Sequence, residues 1–157
     1  MKYIVIPFAV LFLAISLSIG DARPVKMWDY SELTKESTLI VIATYEKSAD
    51  TDDKSVLGGS SVVGVDSTFK VLSVLKGKIE SDKVIVHHYK YDKSTVGVTN
   101  GCRFISFPEN DKTTYLIFLK EDEGKNIVPV TGQYDAVDSF KIISNANASA
   151  QSIIIEN

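Results

Sequence analysis

The chain has 157 residues, 45% of them hydrophobic and 24% charged, with a net charge of −3. That length suits one domain with a core of its own. The mild acidity offers nothing to draw the protein to nucleic acid or anionic lipid, and a single cysteine, Cys102, excludes an intramolecular disulfide.

The first 22 residues read as a secretory signal peptide. Lys2 supplies the basic start, Ile4 to Ile19 is an almost unbroken apolar run, and Ser18, Gly20 and Ala22 are the small residues expected near a cleavage site. The alternative is a retained anchor, but the run is short for a span of about 20 residues and no basic cluster follows it. The expected location is therefore secreted or periplasmic, with a mature domain over residues 23–143 and a flexible tail over 144–157. Residues 1–22 carry Lys2 and Asp21, so the charge without them is still −3. An exported domain of this size without disulfides depends on its hydrophobic core.

After an extended lead-in, Asp29 or Ser31 can cap a short helix whose early turns hold Glu32 and Glu36. Trp28 and Leu33 are its expected buried contacts. The apolar, β-branched run Leu39 to Ala43 reads as a strand covered on both faces and ending at Tyr45. Lys47 to Ser60 is polar and glycine-bearing and reads as a mobile loop. Its Asp50, Asp52 and Asp53 lack the glycine and distal glutamate of an EF-hand calcium loop, so no metal is expected there.

Ser61 to Gly77 alternates at period two over its whole length, which predicts a long strand with one face in a core. Such a strand exceeds the usual five or six residues, and Gly64 to Ser67 is where it should bend. Ser81 to Asp92 predicts the next strand. Val84, Val86, His88 and Lys90 share one face; Ile85, His87, Tyr89 and Tyr91 share the other. The two histidines thus point apart and cannot hold one metal together. Tyr89 and Tyr91 with His87 form a candidate ligand-binding face, since tyrosine combines apolar area with a polar tip; the other reading is cross-strand packing.

Cys102 to Phe107 alternates weakly as a short strand. Its cysteine is either a reactive thiol or a buried small hydrophobe. Thr113 to Lys120 is apolar on both faces and should be a central strand. A charged turn at Glu121 to Lys125 leads to Asn126–Val130, where Pro129 marks an edge. Tyr134 to Ile143 is the expected last strand, followed by the tail with Ile153–Ile155 and the glycosylation pattern at Asn147. Together these elements predict an all-β domain with a short helix or two, built as a closed or partly open antiparallel barrel of five to six strands.

The order and wording of the strands resemble the netrin-like module, the fold of the tissue inhibitors of metalloproteinases. The similarity lies in Ser37 to Ala43, Phe69 to Gly77, Tyr115 to Leu119 and Val130 to Gly132, and it spans about residues 28–143. It implies an OB-like five-stranded barrel with a flanking helix. It does not carry over inhibition, because those inhibitors use a disulfide-tied cysteine at the mature N-terminus and this chain has none before Cys102.

No serine-hydrolase elbow, zinc-protease motif or phosphate-binding glycine loop is present, and no cofactor is implied. The expected function is a secreted, monomeric, non-enzymatic binding module whose partner is another secreted or envelope protein. The alternatives are a structural envelope protein, or a hydrolase pairing Cys102 with His87 or His88.

Overall fold

The computed structural model describes residues 26–95, 101–109 and 112–144. The signal segment, most of the tail and the Asn147 pattern lie outside these residues. Among those described, no helix is long and apolar enough to cross a membrane.

The chain starts with helix α1 (Tyr30–Glu36), set by a capping box in which Asp29 accepts from the Glu32 amide and Glu32 accepts from the Asp29 amide. Six strands follow: β1 (Leu39–Leu57), β2 (Ser60–Lys76), β3 (Lys83–Tyr91), β4 (Thr114–Glu121), β5 (Ile127–Pro129) and β6 (Phe140–Ser144). They form one antiparallel sheet in the order β3-β2-β1-β4-β5, with β6 also on β4. The fold is all-β and barrel-like, and the barrel is partly open. As expected, β4 is central, with β1 on one edge and β5 and β6 on the other.

Three expectations need correction. Lys47 to Ser60 is not a loop: β1 runs on to Leu57, turns through Gly58 and Gly59, and pairs with β2 back to Ser60. This arm is largely exposed, so it lacks the hydrophobic alternation that marks a half-buried strand; backbone pairing with β2 and side-chain contacts from Asp50 and Asp53 to β3 hold it. Cys102–Phe107 forms no strand; it lays Phe107 into the aromatic core. Tyr134–Ser139 is not strand either. A 3₁₀ turn at Ala136–Ser139 buries Ala136 and Ser139 before β6 begins.

Leu39, Val41, Ala43 and Tyr45 of β1 face Phe69, Val86, Ile117 and Phe140 in the main core. Phe107 plugs it, with ring centroids 5.0 Å from Tyr45 and 5.1 Å from Phe69. On the opposite face of the sheet, Leu33 of α1 seals a smaller cluster with Ile40, Phe118 and Val130.

A break in register falls where the sequence places the corner of β2, and the extra residues sit in β1. The pairing jumps between Asp50–Val65 and Lys54–Val63, leaving Thr51, Asp52 and Asp53 opposite Gly64. A bulge of this kind adds twist and re-aims side chains. A Cβ on Gly64 would lie 2.5 Å from Thr51 Oγ1 and 2.9 Å from His87 Cε1. The bare glycine is what lets groups from β1 and β3 meet over β2.

Candidate functional site

Alternation along β3 separates two polar systems, as the sequence predicts for its histidines. His88 points into the core and is 2% exposed. A hydrogen-bonded chain reaches it from β1. Tyr45 O–H donates to Ser48 Oγ (3.1 Å), Ser48 and Ser67 hydroxyls are 2.7 Å apart, and Ser67 Oγ lies 2.8 Å from His88 Nε2. His88 Nδ1 faces the Tyr89 carbonyl at 3.4 Å. One assignment satisfies every atom: each hydroxyl donates towards Nε2, and Nδ1 carries the imidazole proton. Burial pushes the His88 pKa down to about 4, so the ring is neutral.

The other system lies over Gly64. His87 Nδ1 is 2.7 Å from Asp66 Oδ1 on β2, and His87 Nε2 is 3.7 Å from Asp53 Oδ2 in the β1 bulge. Tyr89 O–H donates to the same Asp53 carboxylate. Burial, then this bond to Asp53, pushes the Tyr89 phenol above its usual pKa. Two further ion pairs cross β2 in the same direction: Lys90 to Asp50 (2.5 Å) and Lys83 to Glu46 (2.6 Å). β1 and β3 are thus tied together across the strand between them.

The residues nominated from sequence separate. Tyr89 is buried, 8% exposed, and stacks on Tyr134 at 4.7 Å. Tyr91 is half-buried against Phe104, and its hydroxyl accepts from the Cys102 amide at 3.0 Å. Both rings spend their faces on packing. His87 alone of the three lines the main groove, a space of about 870 Å³. Cys102 is half-buried, while His88 commits both ring nitrogens inside the core. Asp53, Asp66 and Tyr134 were not read from sequence, because only the cross-strand register brings the two aspartates to β3 and only the irregular segment after β5 brings Tyr134.

The groove lies at one end of the barrel, bounded below by the β2–β3 connection with Lys78 and Ile79. One wall is β3 with the β2 residues Asp66 and Thr68; the other is the β4–β5 turn with Lys125 and Ile127. Ile79, Val84, Ile85 and Ile127 give it apolar surface. Its charged groups balance: Asp66, Glu80 and Glu121 against Lys78, Lys83 and Lys125. The far wall is held by its own turn, where the Asn126 amide donates to Asp122 and holds that carboxyl below its usual pKa. Among the described residues, no group of three or more His, Cys, Asp or Glu side chains could hold a metal ion.

No family model, curated protein or solved structure matches the chain.

Proposed function

We propose that this domain is a secreted, non-enzymatic binding module that holds part of another secreted or envelope protein in the groove between β3 and the β4–β5 turn. The observation that carries the reading is the gap itself. A closed barrel has no edge to offer; here the sheet is not closed, and one end of it leaves a space of ligand-binding size, with apolar surface and a balanced charged rim. Asp66, His87 and Lys83 beside it are engaged in holding strands together, which suits recognition better than turnover. The similarity to the netrin-like module supports the same reading at the level of fold, and the leader supports export.

The test is affinity capture from a periplasmic or secreted extract with the wild-type protein and with Thr68→Trp, which fills the groove from β2. A partner held by the wild type and lost by Thr68→Trp is the expected result. A partner held equally by both removes the groove from the account, and no partner above background argues against the binding module.

A further inference from the structure

The end of β6 leaves apolar surface uncovered. Among the described residues β6 pairs with β4 alone, with Ile117 opposite Phe140, Leu116 opposite Lys141 and Tyr115 opposite Ile142. Residues directly opposite share a face of the sheet. Tyr115 faces the core and is 8% exposed, so Ile142 stands on the core side as well, yet it is 65% exposed. Ile143 falls where the register slips and is 52% exposed. The core thus ends at Tyr115, and among the described residues no backbone hydrogen bond reaches the other edge of Ile142 to Ser144.

The sequence that follows β6 supplies a cover. Residues 145–152 are Asn, Ala, Ser and Gln, with no charge and no large apolar side chain, and Ile153, Ile154 and Ile155 come directly after them. Adjacent β-branched residues favour an extended chain, which turns isoleucine side chains to both of its faces. Left in water, such a run is a hazard for association. The link of residues 145–152 reaches ~26 Å when extended, whereas a chain lying beside a strand is about 4.8 Å from it. The isoleucines therefore return to β6 with length to spare. A short flexible tether gives a local concentration on the order of millimolar. A second copy at micromolar protein is about a thousandfold more dilute, so the tethered segment occupies the surface first.

We propose that Ile153–Ile155 fold back on β6 of the same chain and cover Ile142 and Ile143. The contact extends the apolar layer beyond Tyr115. It shares no residue with the groove, so it stands apart from the binding-module reading and leaves the groove open to a partner.

The test is methyl NMR on the full chain labelled at isoleucine. Contacts between the Ile142 or Ile143 methyls and those of Ile153–Ile155 are expected, unchanged on dilution. Ile154→Asp should abolish them and shift the Ile142 and Ile143 methyl resonances, while the Ile117 methyl in the core stays in place. Ile154→Val should leave the Ile142 and Ile143 resonances near their wild-type positions. No contact in the wild type, or no shift in Ile154→Asp, overturns the proposal. Contacts that arise only between separately labelled copies assign the surface to a second copy and overturn it as well. Thr68→Trp should change none of the contacts, even where it costs the captured partner. Their loss in Thr68→Trp would place the segment in the groove and overturn its assignment to β6.

Discussion

Ser67 Oγ lies 2.8 Å from His88 Nε2 with both residues sealed in the core. The contact ends a chain of hydroxyls that runs from Tyr45 through Ser48, and the Tyr89 carbonyl facing Nδ1, which can only accept, places the imidazole proton there and leaves Nε2 to accept from Ser67. Ser67→Ala leaves the buried His88 Nε2 without its partner, while the exposed Ser48 hydroxyl turns to solvent. An orphaned buried polar group costs about 1–3 kcal/mol. Urea denaturation should show a loss of that size with an unchanged m-value.

The neutral His88 makes stability depend on pH. Its pKa is about 4 in the folded protein against 6.5 for the free side chain. Below pH 6.5 the unfolded chain takes up a proton that the native state refuses, so stability falls as pH drops from 6.5 to 4. Above 6.5 this contribution is flat. The total loss is on the order of 3 kcal/mol. Denaturation midpoints across that window should show the slope, and His88→Gln should be less stable at neutral pH with a flatter profile.

Two glycines are required for different reasons. At Gly77 the backbone has φ +84° and a Cβ would fall 2.5 Å from the Thr38 carbonyl oxygen, so Gly77→Ala meets both strain and a rigid clash. A loss of about 2–4 kcal/mol follows. At Gly64 the clash is with the Thr51, Asp53 and His87 side chains, which can shift, and about 1–3 kcal/mol is expected. Gly64→Ala should also move the His87 ring resonances, because the ring has to leave Asp66 or Asp53. Unchanged ring resonances would show that the cluster does not depend on the bare glycine.

Tyr89→Phe keeps the stack on Tyr134 and removes the bond to Asp53. The bulge of β1 then loses a tie to β3, at about 1–2 kcal/mol for a bond to a half-exposed carboxylate. Amide exchange should quicken at Thr51 to Asp53 and stay unchanged at Val86, in the middle of the core. A uniform change across the sheet would contradict a local role.

The sequence reads well wherever burial shapes it. β2 matches its period-two pattern from Val65 to Val71, whereas Leu72 to Lys76 are exposed on both faces; β4 matches its two apolar faces, and α1 its Asp29 cap. The arm over Lys47 to Leu57 escapes, because a hairpin exposed on both faces needs no hydrophobic alternation. Gly58-Gly59 between Val56-Leu57 and Val62-Val63 was the signal that could have found it. The site is legible in part. Alternation puts His87 and Tyr89 on one face of β3. Nothing local puts Asp53 and Asp66 beside them, because that follows from a three-residue bulge and a cross-strand register. The exposure of Tyr89 and Tyr91 was equally beyond reach, since Tyr134 and Phe104, distant in sequence, cover them.

The most direct test of the account is to follow backbone amide resonances as the partner recovered by affinity capture is added. Binding in the groove predicts that the largest shifts fall at Thr68, Ile85 and His87, with smaller ones at Ile127 across it. Shifts centred on Tyr91 and Phe104, or none at saturating partner, would contradict it.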